Sequence, residues 1–119
     1  MTQLVACLST GKGTWKEVTA VMNQHDWEGI YLITNDFGKE KFTSLKKGTE
    51  VIVLDLEQDV IKLRDEIKAK LKGKLKGTEV AVNTSSGAGR EHMALVSALL
   101  HLGFAVRFVV ASGNAIEEI

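Results

Sequence analysis

The sequence has little that would support redox chemistry or general binding of duplex nucleic acid. Its 119 residues include one cysteine, and Lys plus Arg balance Asp plus Glu at a net charge of zero. The lone Cys7 cannot form a disulfide within the chain, and its position in an apolar run predicts a buried, unreactive thiol. Without excess positive charge, the attraction on which duplex-binding proteins depend is missing. We therefore expect neither redox chemistry nor a duplex nucleic-acid partner.

Long hydrophobic runs, proline and metal-ligand spacing are absent as well. No run reaches the ~18 to 20 apolar residues of a membrane span, and the N-terminus has no secretory-signal pattern. We expect a soluble, cytoplasmic protein with no membrane partner. The absence of proline and the Lys/Glu-rich surface pattern suit a heat-adapted protein. His25, His92 and His101 are not spaced as metal ligands, so the sequence predicts no metal and no cofactor.

Apolar runs without polar alternation mark the strands of a sheet that is covered on both faces. The runs are residues 4–8, 29–33, 51–56, 80–82 and 105–111. Helix-like segments separate them. These segments are residues 15–24, 58–72 and 90–102, with residues 35–45 a short helix or an irregular crossover.

This alternation predicts an α/β fold with right-handed crossovers. We expect a three-layer, Rossmann-like domain with a five-stranded, mainly parallel sheet in the order 3-2-1-4-5 and helices on both faces. A hydrophobic content of 45% is enough for one core at this length, so residues 1–119 form a single domain.

Two turns of this fold are rich in Gly, Ser and Thr. Residues 9–14 read Ser-Thr-Gly-Lys-Gly-Thr after the first strand, and residues 83–90 read Asn-Thr-Ser-Ser-Gly-Ala-Gly-Arg at the end of the fourth. In the predicted order these strands are neighbours, and their carboxyl ends meet at the point where the strand order reverses, which is where ligands bind in open α/β sheets. The sequence therefore predicts that the two turns lie side by side and form one site.

Backbone N–H groups, hydroxyls and cations in these turns suit phosphate oxygens, so a ribose phosphate is the expected guest. The candidate ligand-binding residues are Ser9, Thr10, Gly11, Lys12, Asn83, Thr84, Ser85, Ser86, Gly87, Gly89 and Arg90. Neither turn matches a P-loop or a complete Gly-x-Gly-x-x-Gly, which disfavours nucleoside triphosphate hydrolysis and dinucleotide redox chemistry. The alternative is that both turns are ordinary connections with helix caps.

The helix at residues 90–102 is apolar almost all round between Met93 and Leu100. Such a helix is buried on both sides. Because the domain is small, a second subunit is one candidate for the outer cover, which predicts a homodimer with this helix at or near the interface. The alternative is that neighbouring helices and the C-terminal segment of the same chain cover it.

The two turns together resemble the motifs of the CARF domains, the CRISPR-associated Rossmann-fold sensors. Ser9, Thr10 and Gly11 correspond to the earlier loop of that family. In the later motif of the family, Asn or Thr is followed by a hydroxyl residue, one or two glycines, and a Lys or Arg that opens the helix. The matching residues are Asn83, Thr84, Ser86, Gly87, Gly89 and Arg90.

This resemblance implies a homodimer that binds cyclic oligoadenylate, a signal of antiviral defence, across its two-fold axis. Some members are metal-independent ring nucleases, in which a ribose 2′-hydroxyl attacks the neighbouring phosphate. On this sequence Ser9 or Thr10 would position that group, and Arg90 or Lys12 would stabilise the developing charge. Most members also carry an effector domain, whereas only Ser112 to Ile119 follow the fifth predicted strand here, with no clear sixth strand. Such a chain would transmit a signal only through a partner.

Two further interpretations stay open. The first is a non-enzymatic nucleotide-binding regulatory module that uses the same crevice for another ligand, such as an adenine mononucleotide. The second is a protein-interaction module whose apolar helix is the functional surface.

Overall fold

The computed structural model describes residues 2–8, 12–43 and 45–119. Within them, strands and helices alternate along the chain. The strands are β1 (Gln3–Cys7), β2 (Gly29–Thr34), β3 (Thr49–Val53), β4 (Glu79–Asn83), β5 (Ala105–Ser112) and β6 (Ala115–Glu118). The α-helices are α1 (Trp15–Asn23), α2 (Asp36–Lys41), α3 (Val60–Leu71) and α4 (Gly89–His101), and a 3₁₀ turn at Lys12–Thr14 leads into α1.

The strands form one sheet in the order β3-β2-β1-β4-β5-β6. All neighbours pair in parallel except β5 and β6, which are antiparallel. The predicted α/β class and strand order are confirmed, and the fold is Rossmann-like. The expectation that no sixth strand follows the fifth was wrong. The turn at Gly113 and Asn114 lets Ser112 pair with Ala115, so the C-terminal residues fold back along β5.

One face of the sheet is covered mainly by α1. Val18, Val21 and Met22 of this helix are buried against sheet residues such as Leu4 and Leu32. α2 is short. Asn35 caps its start, where the side chain accepts a hydrogen bond from the Gly38 N–H at 3.0 Å, and the chain is already extended at Phe42. This face has no further α-helix over β5 and β6 within the described chain.

The opposite face is covered by α3 and α4. α3 buries Leu63, Ile67 and Leu71 at four-residue spacing. Val60, three residues before Leu63, is partly buried against the same cluster, and Asp59 caps the start of the helix. Together with the inward residues of β1 and β4, both helices form the larger of the two hydrophobic clusters. Cys7 belongs to this cluster and is buried, as predicted.

α4 is not covered on both sides by its own chain. It buries one stripe of residues, namely Ala94, Leu95, Ala98 and Leu99. Met93 and Leu100 are 65% and 56% exposed, so the neighbouring helices and the C-terminal strand leave the outer side of α4 open. The alternative in which this chain covers the helix itself is therefore wrong, and the predicted homodimer stays a prediction. Among the described residues, no helix is long and apolar enough to cross a membrane.

Candidate functional site

The two Gly/Ser/Thr turns leave the sheet from neighbouring strands. β1 pairs with β4 in parallel, with Val5 opposite Val82 and Ala6 opposite Asn83. The helices that follow the turns diverge, because α1 packs on one face of the sheet and α4 on the other. The predicted reversal of strand order between β1 and β4 is therefore present, and it opens a crevice at the carboxyl ends of these strands.

Leu8, the residue before the first turn, is held to β2 by hydrogen bonds. The Leu8 N–H donates to the Ile33 carbonyl at 2.9 Å, and the buried Thr34 hydroxyl donates to the Leu8 carbonyl at 3.1 Å. The predicted site residues Ser9, Thr10 and Gly11 lie outside the described residues. Lys12 is described in its backbone only, as the first residue of the 3₁₀ turn.

Asn83 shapes the second turn from within. Its side chain is buried and donates to the Val109 carbonyl at 2.8 Å and to the Ser85 hydroxyl at 3.1 Å, while its carbonyl oxygen accepts from the Ser85 N–H at 3.2 Å. These bonds tie the end of β4 to β5 and set the direction of the chain after the strand. In this structure, Asn83 thus holds the turn instead of reaching into the crevice.

The remaining residues of the second turn differ in exposure. Thr84 and Ser85 are half-buried, Ser86 is buried, and Gly87 has a φ of +104°. A Cβ at position 87 would lie 2.6 Å from Glu91 Oε2 and 3.2 Å from the Cys7 Cβ. Only glycine combines this backbone conformation with so close an approach of the turn to β1.

Two side chains of the first turn of α4 hold the preceding turn, and the sequence interpretation did not assign them this role. The Glu91 carboxylate accepts from the Ala88 N–H at 3.1 Å, and His92 Nε2 lies 2.8 Å from the Ser86 carbonyl oxygen. The sequence does contain a signal for the role of Glu91. This glutamate lies three residues after Ala88, the residue before α4, and a glutamate at that spacing is half of a capping box.

Arg90 is directed to the connection between β3 and α3. Its Nη1 donates to the Leu56 carbonyl at 3.2 Å, and its Nη2 donates to the Gln58 carbonyl. The guanidinium has five N–H donors, so these bonds leave others for further acceptors. The structure therefore directs the predicted ligand-binding cation to the β3–α3 connection, with part of its donor capacity already in use. Gly89, another predicted ligand-binding residue, is the exposed first residue of α4.

A cleft of about 480 Å³ opens beside the second turn, between α1 and the β5–β6 hairpin. Its walls are Lys16, Glu17, Ala20, Gln24, Ser85, Val110, Ala111 and Gly113. The cation Lys16 and the hairpin residues were missing from the sequence prediction. Lys16 could have been found from its place in the first turn of α1, whereas the hairpin contribution depends on the strand that the sequence did not reveal.

Cys7, the last residue of β1, is buried beside Gly87. Burial, with a smaller contribution from the negative charge of Glu91, raises the pKa of the Cys7 thiol to about 12. A thiol with this pKa is protonated at neutral pH and is a poor nucleophile. Among the side chains that the structure describes, no three of His, Cys, Asp and Glu lie together as metal ligands.

Comparisons with models of known protein families and with curated proteins gave no match. The case for a function therefore rests on the geometry of this crevice and on the residues that line it.

Proposed function

We propose that this protein binds a phosphate-bearing nucleotide in the crevice at the carboxyl ends of β1 and β4. The observation that carries the proposal is the parallel pairing of these two strands, because it brings the starts of both Gly/Ser/Thr turns to one edge of the sheet. Nucleotides bind at this position in open α/β sheets, where backbone N–H groups and the amino ends of helices face the phosphate.

Some of the described residues would shape the site, and others would contact the ligand. Asn83 and Gly87 give the second turn its form, and Thr84 and Ser85 offer hydroxyls that are not fully buried. Lys16 adds a cation at the adjoining cleft, whose volume of about 480 Å³ lies within the range of small-molecule sites. The crevice and cleft together can hold a phosphate at the turns and a nucleoside beside them.

As the specific ligand we propose cyclic oligoadenylate, bound by a homodimer of CARF type in the cytoplasm as part of antiviral defence. The support is the Ser-Thr-Gly and Asn-Thr-Ser-Ser-Gly-Ala-Gly-Arg motifs. If the ring is also cleaved, Ser9 or Thr10 positions the attacking 2′-hydroxyl, and Arg90 or Lys12 stabilises the charge. The hydrogen bonds of Arg90 to the Leu56 and Gln58 carbonyls leave other guanidinium donors for that charge.

Calorimetry with cyclic tetra-adenylate, cyclic hexa-adenylate and AMP tests the proposal, with chromatography of each mixture for cleavage products. We expect a cyclic oligoadenylate to bind, and Lys16→Ala to weaken binding. Lys39→Ala, at an exposed lysine of α2, is the matched control and should bind as the wild type does. Binding of AMP without the rings would favour the regulatory module with another ligand. No binding of any of the three would contradict the proposal.

The homodimer has its own support in the exposed apolar residues of α4. Met93 and Leu100 lie on the outer side of the helix, where apolar side chains of this size gain from burial against a second subunit. We expect the wild type to sediment as a dimer and Leu100→Glu to sediment as a folded monomer. A wild type that is monomeric at high protein concentration would have no two-fold axis across which the ring could bind, and would contradict this part of the proposal.

A further inference from the structure

A second cavity lies toward the opposite edge of the sheet from the crevice. Its volume is about 220 Å³, and it reaches the amino ends of β1 and β4, where Thr2 and Glu79 line it. Ala81, Val109 and Ile116 form its apolar floor on the α1 face of the sheet, where no helix of the described chain covers β5 and β6. An apolar cavity of about 150 Å³ can hold benzene, so this one has room for a ring with a short substituent.

One wall of the cavity is a tryptophan that is held in place. The Trp27 indole N–H donates to the Val21 carbonyl at 2.9 Å, and the centroid of the ring lies 4.5 Å from that of His25, which also lines the cavity. His25 Nε2 is buried and has no hydrogen-bond partner among the described residues. Buried polar atoms are normally paired, so this nitrogen needs a hydrogen-bonding group, and the cavity beside it offers space for one.

The rim of the cavity has an excess of one negative charge. Arg107 lies between Glu79 of β4 and Glu118 of β6 and makes four hydrogen bonds to their carboxylates. Both bonds to Glu118 go to Oε1, so Oε2 is left for another donor. Because the donors of the guanidinium are largely engaged and two carboxylates flank it, the rim favours a cation over an anion.

We propose that this cavity binds a small organic ammonium ion with an apolar, ring-sized body. The body would cover the apolar floor and pack against Trp27, and the ammonium group would donate to His25 Nε2 or Glu118 Oε2. A cation that lies over the face of an indole ring is stabilised further by the ring quadrupole. The cavity is separate from the nucleotide crevice, so neither proposal depends on the other.

Three compounds with the same ring separate charge from shape, namely phenethylammonium, 2-phenylethanol and phenylacetate. NMR titration of the wild type follows the Trp27 indole N–H and the amides of Val109 and Ile116. We expect phenethylammonium to shift these signals and to bind about threefold more tightly than the alcohol, the gain of a partly exposed ion pair, with phenylacetate weaker still. No shift with any compound, or an affinity for the ammonium no higher than for the other two, would overturn the proposal.

Two variants of β6 test the role of the rim charge. In Glu118→Gln the excess negative charge is gone, so phenethylammonium should bind no more tightly than 2-phenylethanol, whose affinity should stay as in the wild type. Glu117→Gln is the matched control, because the neighbouring side chain lies on the other face of the strand, and it should keep the threefold preference. A preference retained in Glu118→Gln would contradict the assignment of the cation to this rim.

Ala81→Val tests the floor of the cavity without touching the ion pairs. Its two added carbon atoms narrow the space for the ring, so phenethylammonium should bind on the order of tenfold more weakly. Urea unfolding shows whether each variant is folded, and the comparison of the three compounds on the wild type requires no variant. Unchanged affinity in folded Ala81→Val would mean that the compound binds elsewhere, and would overturn the proposal.

Discussion

Gly87 is the residue on which the form of the second turn depends most directly. Its φ of +104° lies in a region that residues with a Cβ rarely adopt, and a methyl group added here would lie 3.2 Å from the Cys7 Cβ, which is a tight contact. The sequence predicted a glycine-rich turn that comes close to a ligand. The structure adds that one of these glycines is needed for the turn to come close to β1.

Gly87→Ala should lower the free energy of unfolding by about 3 kcal/mol, because backbone strain adds to crowding against Cys7 and His92. The matched control is Gly113→Ala in the β5–β6 turn. Its φ of +61° is also positive, but no atom lies within 4 Å of the added Cβ, so a loss of about 1 kcal/mol is expected. Urea denaturation measures both values. Equal losses in the two variants would mean that crowding at position 87 has no effect.

Arg90 is a predicted ligand-binding residue and is hydrogen-bonded to the loop before α3, so we expect its removal to have two measurable effects. Arg90→Ala should weaken AMP binding by about 1.5 to 3 kcal/mol through the loss of a charge-assisted contact. It should also lower the free energy of unfolding by about 1 kcal/mol, because the Leu56 and Gln58 carbonyls lose their donor. Arg64→Ala, which removes an exposed ion pair with Asp65 on α3, is the control for charge. Wild-type affinity in Arg90→Ala would remove this residue from the site.

At the scale of elements, the sequence predicted the helices and strands whose apolar residues follow a pattern, because such a pattern reflects which residues are buried. Residues 58–72 were predicted as a helix and Val60–Leu71 form one, with its buried stripe at the predicted positions. The strand β6 has no such pattern, because only one of its four residues, Ile116, is even partly buried. Its formation depends on pairing with β5 across the Gly113 turn, an interaction between segments that periodicity within one segment does not reveal.

Arg107 joins β6 to the rest of the sheet. It lies on β5 and forms ion pairs with Glu118 of β6 at 2.6 Å and with Glu79 of β4 at 2.8 Å. The hydrogen bond from Arg107 holds the pKa of Glu118 below its ordinary value of 4.5. The hairpin therefore has a polar attachment at the end of β6, in addition to the contacts of Ile116.

The lowered pKa of Glu118 predicts a loosening of β6 in acid. A carboxylate whose pKa is lowered by folding stabilises the folded state fully when the pH is above its ordinary pKa of 4.5. This stabilisation is lost as the pH falls below 4.5 and through the lower pKa of the folded state. The Ile119 N–H donates to the Phe108 carbonyl, and its protection factor, which compares its hydrogen exchange with that of an unfolded chain at the same pH, should fall over this range. In Glu118→Gln this exchange should already be faster at neutral pH, and the difference from the wild type should vanish in acid. A difference that persists in acid would contradict the account.

At the scale of the whole molecule, the pairing of β1 with β4 could be predicted, and the side-chain contacts of the second turn could not. Adjacency of the two turns follows from a topological rule that applies to the fold as a whole. The partners of Asn83, Arg90 and Glu91 depend on distances of a few ångströms between elements far apart in sequence. Composition predicted Asn83 and Arg90 as ligand-binding groups, but it could not reveal that both already form hydrogen bonds within the protein.

The most direct test of the central claim is to map the ligand contacts by NMR, with amide shifts recorded as cyclic tetra-adenylate is added. We expect the largest changes at the backbone N–H groups of residues 84–90 and at Lys16, on the carboxyl edge of β1 and β4. The amides of Glu28 and Thr78, near the opposite edge of the sheet, should stay unchanged. Changes confined to that opposite edge, or none at saturating ligand, would contradict the account.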